Sequence, residues 1–149
     1  MPSSTLPFFE WCGSTRLGLA VRDTVWAFPV IETFHLLALA VLLGTVLIVN
    51  LRIFGLGARY ASAAQLSQDL EPWMLVSVAI SVATGIPMML SEPMKCYESY
   101  SFPIKMILLV VAIAFHFTVQ RRSPTKPTAA ISMALWAAIG LAGKGIPYL

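Results

Sequence analysis

The stretch Val25–Val49, VWAFPVIETFHLLALAVLLGTVLIV, holds one carboxylate, Glu32, and one imidazole, His35, in an otherwise apolar run without a basic residue. About 20 apolar residues in a helix cross the hydrocarbon core of a bilayer, so this stretch reads as a transmembrane span. Three more runs qualify by the same measure: residues 73–90, 102–119 and 129–148. The last contains Lys144, whose long stem can carry its ammonium to the headgroups. Linkers are expected over Asn50–Pro72, Ser91–Ser101 and Gln120–Thr128. Backbone polar groups in lipid must be satisfied internally. The expected fold is therefore all-α: a four-span transmembrane helix bundle forming a single membrane domain over residues 1–149, with a short N-terminal interfacial segment.

Composition agrees with that class. Charged residues make up 11% of the chain, against about 25% in an ordinary soluble domain. No Lys/Arg-rich run points to nucleic acid. A glycine-rich phosphate loop, a CxxC pair and a Gly-x-Ser-x-Gly elbow are all missing from the sequence, which leaves kinase, zinc-finger and soluble-hydrolase readings without support. Residues Met1–Trp11 lack a basic n-region, and Pro7 and Glu10 interrupt their apolar character. The first span is then expected to act as an uncleaved insertion signal. Within Ser3–Ala20, Leu6, Phe8, Phe9, Trp11, Leu17 and Leu19 suit a short amphipathic element lying in the interface, with a loosely ordered tail as the alternative.

Basic residues near span ends set orientation. Arg52, Arg59, Arg121, Arg122 and Lys126 fall in the first and third linkers, whereas Arg16, Arg22, Lys95 and Lys144 on the other side are mixed with Glu10, Asp23, Glu92 and Glu98. This places the first and third linkers in the cytoplasm and both termini outside, in the periplasm of a bacterial inner membrane.

The chain has two histidines, His35 and His116, on the first and third spans. Ionisable groups inside a membrane segment usually face the bundle interior and mark a site. Glu32 shares a helix face with His35. On the second span Ser77, Ser81, Thr84, Gly85 and Met88 form a stripe of small and weakly polar groups, read as a packing surface. The third span aligns Lys105, Leu109, Ala112 and His116, and the fourth aligns Ser132, Trp136, Gly140 and Gly143. An uncompensated charge at depth costs roughly 2.5–3.5 kcal/mol on insertion scales, so a Glu32–Lys105 ion pair is expected, with separate snorkelling as the alternative.

His35, Gly44 and the exit Arg52-Ile53-Phe54, together with Lys105 followed by His116, resemble the HemJ-type four-helix membrane proteins and, more loosely, the CopD-like copper-resistance domains. The HemJ resemblance covers the first and third spans. It implies b-type haem and a protoporphyrinogen-oxidase type of chemistry, with His35 as the haem ligand and Lys105 and His116 as site residues. This chain departs from HemJ-type proteins in having Glu32 where they tend to carry a basic residue, and in lacking tryptophans near the histidine and lysine motifs.

Neutral imidazole is the usual axial ligand of b-type haem, and a four-helix bundle can bury the macrocycle. If Glu32 and Lys105 are level, the rise per residue separates the two histidines by about 12 Å in height. Separate roles follow: His35 as an outer haem or metal ligand, His116 as a second ligand or a proton group on the cytoplasmic side. Copper is the alternative cofactor, since Met88, Met89, Met94, Met106 and Cys96 gather toward the outer side and thioether and thiolate groups suit Cu(I). Cys12 and Cys96 share that side and could form a disulfide, with two free thiols as the alternative. The functional expectation is electron transfer or oxidation in the outer half of the bilayer, coupled to a quinone or a partner membrane subunit. Glu32 and Lys105 would set the local field. A cofactor-free structural subunit of a larger membrane complex is the third class.

Overall fold

The computed structural model describes residues 1–57 and 59–145. After a short 3-10 turn, Ser3–Thr5, come α1 (Leu6–Ser14), α2 (Arg16–Asp23), α3 (Ala27–Ile53), α4 (Ala63–Ser91), α5 (Pro93–Glu98), α6 (Ser101–Phe115) and α7 (Lys126–Gly145). A π-helical turn over His116–Gln120 extends α6. Among the described residues there is no strand. Four helices are long and apolar enough to cross a membrane: α3, α4, α6 with its π turn, and α7. Residues 146–148, the expected end of the last span, lie outside the described residues.

Only 11–33% of each apolar window is buried within the protein. Side chains such as Leu36, Leu37, Ile107 and Val110 are each more than half exposed. So much outward apolar surface suits acyl chains and not water. The chain is a multi-pass membrane protein.

Close backbone approaches among the spanning helices join α3 to α4, α6 to α7 and α3 to α7, with no comparable approach between α4 and α6 among the described residues. The core that these contacts enclose is built on Leu42, Val46, Met74, Ala112, Trp136 and Ile139. Leu42 and Ala112 are 1% exposed, so the four helices meet on one interior.

Two linkers are shorter than the sequence suggested. The expected Asn50–Pro72 connection shrinks because α3 runs on to Ile53 and α4 starts at Ala63. Ser62 caps α4 by accepting a hydrogen bond from the Gln65 amide at 3.2 Å. Arg52 ties the connection to the bundle, its Nε donating to the Ala61 carbonyl at 2.7 Å. Pro72 thus falls inside the helix, as does Pro87. Each removes one backbone donor, a loss that α4 absorbs because it packs along α3, with Leu66 and Met74 buried. Similarly, α5 occupies part of the expected Ser91–Ser101 linker.

The N-terminal segment folds as two helices. Phe9, Cys12, Gly18 and Val21 face inward while Phe8, Trp11, Leu17 and Leu19 are exposed, which is the division an interfacial element requires. Thr15 caps α2 through the Gly18 amide at 3.2 Å. A Cβ at Gly18 would collide with the Leu90 carbonyl, so glycine lets α2 sit on the C-terminal end of α4. This docking places α1, α2 and α5 together over one end of the bundle.

Candidate functional site

The two histidines lie in different halves of the bundle. His35, on α3, is half-buried beneath the N-terminal helices and faces α4. Its Nδ1 is 2.8 Å from Thr84 Oγ1. That hydroxyl has one proton, which it donates to backbone carbonyls on its own helix, Ile80 at 2.7 Å and Ser81 at 3.3 Å. With that proton kept on the carbonyls the hydroxyl accepts from the imidazole, the arrangement in which Nδ1 carries the hydrogen in neutral His35 and Nε2 presents a lone pair.

Three further features surround that ring. Gly85 lies against it: a Cβ there would come within 3.4 Å of His35 Cε1. Ser81, one turn before Gly85, contributes a buried hydroxyl without a hydrogen-bond partner. Lys105, on α6, is near enough for its charge to act on His35. Its stem and ammonium rest on Gly143 of α7, where a Cβ would be 3.4 Å from both Cε and Nζ. Two glycines thus lie directly against two polar side chains. The second-span stripe, expected to serve packing, supplies Ser81, Thr84 and Gly85 to the surroundings of His35.

The expected Glu32–Lys105 ion pair is not formed. The ion pairs among the described residues are Lys95–Glu92 and Arg121–Glu71. Glu32 is exposed on α3, whereas Lys105 lays its stem and ammonium on Gly143 of α7.

His116 occupies a different environment. Its Nδ1–H donates to Gln120 Oε1 at 3.3 Å, Gln120 Nε2 donates to Asn50 Oδ1 at 2.5 Å, and Asn50 Nδ2 donates to Ser132 Oγ at 3.3 Å. The chain links α6, α3 and α7 in one direction. All four side chains are buried: His116 at 7% exposure, Gln120 at 4%, Ser132 at 1% and Asn50 at 0%. Buried amides without partners would cost several kcal/mol in hydrocarbon. The π turn, closed by the Arg121 amide on the His116 carbonyl at 3.0 Å, carries both His116 and Gln120.

Beside this network lies a small cleft lined by Thr45, Val49, Ser67, Glu71, His116 and Gln120 among others. Its volume of about 10 Å³ matches one water molecule. His116 is therefore level with residues 45–49 of α3, roughly 15–20 Å along the helix from His35 at 1.5 Å per residue. Two axial nitrogens on one metal, each about 2 Å from it, cannot be drawn from such a pair.

Asn50 and Gln120 were assigned to linkers from sequence, and their pairing was missed. The available signal was that each is an uncharged amide at a span end within two residues of an arginine, Arg52 or Arg121.

At the opposite end, Cys12 and Cys96 are buried free thiols. Burial raises the Cys12 thiol. Burial, with the Glu92 carboxylate nearby, pushes Cys96 up to about 11, so both are protonated at neutral pH. Met94 and Met106, counted toward a copper site, are exposed. Among the described residues no group of three or more His, Cys, Asp or Glu converges to hold a metal ion.

A model described as a family of unknown function, DUF6644, matches residues 8–144, and the chain belongs to that family. No curated protein and no solved structure matches it.

Proposed function

We propose that this DUF6644 member is a b-type haem-binding membrane protein in which His35 is the axial ligand. The observation that carries the proposal is the His35–Thr84 bond: it fixes the ring by Nδ1 and leaves Nε2 free. Ligating histidines are commonly held this way, with the second nitrogen donating to a neighbouring acceptor. Haem asks for one imidazole per axial position, whereas a copper site needs several converging donors. An isolated histidine beside a glycine suits the former.

Around His35 the chain provides what such a ligand needs. Gly85 keeps the ring's neighbourhood clear of side-chain bulk. The unpartnered Ser81 hydroxyl offers a hydrogen bond to a bound group. Lys105, which has no ion-pair partner among the described residues, offers a cation to a carboxylate such as a haem propionate. Lys105 stands on α6, which makes no backbone approach to α4 as close as that of α3 among the described residues. Bound haem would supply one-electron chemistry. The role that follows is electron transfer or oxidoreduction, with a quinone or a partner membrane subunit as the second redox party. Because Arg52, Arg59, Arg121, Arg122 and Lys126 collect at the end away from α1, the favoured orientation has that end cytoplasmic. His35 then lies in the periplasmic half of a bacterial inner membrane.

Optical spectra of the purified protein, oxidised and dithionite-reduced, test the proposal. A Soret band with a sharp α band on reduction is expected, abolished in His35→Ala and retained in His116→Ala. Copper without haem in metal analysis would overturn it. So would a protein that carries neither and purifies only within a larger assembly.

A further inference from the structure

The face that α1 turns to α5 has a definite register. Phe9 stacks on Tyr97 with ring centroids 5.7 Å apart. At the other end of the same face, a Cβ on Gly13 would lie 3.1 Å from Pro93 Cγ. Phe9 thus meets Tyr97 and Gly13 meets Pro93, so the two short helices run antiparallel. Cys12 falls between Phe9 and Gly13, and Cys96 falls between Pro93 and Tyr97. The two fixed contacts bracket the cysteines on the facing sides of the two helices, offset by two residues in register, or about 3 Å along the axis. Both are buried, and Cys12 is near enough for its charge to act on Cys96.

We propose that Cys12 and Cys96 are a dithiol pair that closes to an intramolecular disulfide, clamping α1 to α5 over the His35 end of the bundle. The reaction is thiol–disulfide exchange: two thiols and one external disulfide become the Cys12–Cys96 disulfide and two external thiols, so electrons and protons balance. The oxidant is a disulfide-bearing protein or small molecule of an oxidising compartment. The proposal rests on the orientation given above, which puts this face outside, and is independent of haem.

The clamp would act on the His35 pocket through its neighbours. α5 leads within two residues into α6, which carries Lys105, and α2 sits on the end of α4 four residues beyond Ile86 through Gly18 and Leu90. Tying α1 down holds both of those helix ends. Exchange requires a thiolate, and burial keeps that fraction small here. Closure is therefore slow in the folded protein unless α1 lifts away or closure precedes docking.

The test uses full-length protein taken from membranes under acid quench, denatured, and alkylated with N-ethylmaleimide before and after reduction. The expected result is no alkylation before reduction, two maleimides after it, and a linked Cys12–Cys96 peptide pair by mass spectrometry. A link joining two chains would overturn the proposal. If both thiols are alkylated at once, treatment of the folded protein with diamide separates the causes. Thiols that diamide then joins would overturn the orientation, and with it closure in the cell. Thiols that diamide leaves free would overturn the pairing itself. The Cys12→Ser variant is expected to keep the haem spectrum, which separates this failure from failure of the haem reading.

Discussion

His35 and His116 are the same residue in the same bundle, yet one is left incomplete and the other is closed. Around His116 four buried side chains satisfy one another in sequence, crossing three helices from the π turn to Ser132. Around His35 the Thr84 hydroxyl fixes the ring, the Ser81 hydroxyl is buried without a hydrogen-bond partner, and Lys105 has no ion-pair partner among the described residues. A polar group buried in lipid without a partner is costly. The His116 end is held together by its own side chains, and the binding role proposed above falls to the His35 end.

The sharpest way to break that division is to exchange the fates of the two rings. His35→Ala should eliminate the haem absorbance while leaving thermal stability nearly unchanged. If His116→Ala removed the spectrum and His35→Ala did not, the assignment would be reversed. The next largest effect belongs to Thr84→Val, which keeps volume but removes the acceptor that fixes Nδ1. Loss of such an outer partner typically costs about 10–100-fold in affinity. Haem titration into the apoprotein measures it, and an unchanged affinity would show that Thr84 does not orient the ligand.

Much of this division was beyond sequence for a geometric reason. Span existence was legible because apolar length alone separates a membrane helix from a linker, and all four spans are present. Height within the bilayer was legible too, since rise per residue converts number into depth, and that sufficed to separate His35 from His116. Rotation about each helix axis was not. Glu32 is exposed and Lys105 lies on Gly143, so the two charges expected to pair do not meet. Asn50 and Gln120 were read as linker residues because polar groups at span ends ordinarily meet headgroups, and only the packing of α3 on α7 turns them inward. The short α5 was hidden because six residues give too little periodicity to read.

At the His116 end the measurable quantity is stability. Asn50→Ala removes both bonds that Asn50 makes and strands a Gln120 amide donor in the interior. Hydrogen bonds between membrane helices average about 0.6 kcal/mol, with a maximum near 1.7, so losing two should cost about 1–3 kcal/mol. Unfolding in a mixed-detergent titration reads this directly, and the haem spectrum of the folded fraction should be unaltered. A spectrum lost together with stability would mean that the two ends are one cooperative site.

The smallest effect is expected where the network approaches the membrane surface. Glu71 borders the cleft beside His116 and pairs with Arg121 at 3.1 Å, but the arginine side chain is 54% exposed. Exposed pairs of this kind contribute about 0–1 kcal/mol, because solvent and headgroups compete for both ions. Glu71→Gln should therefore shift stability by less than half as much as Asn50→Ala in the same titration, and by less still at high salt. Equal costs for the two substitutions would extend the cohesive network through the cleft to the surface. The His116 end would then be joined to the headgroup region instead of sealed within the bundle.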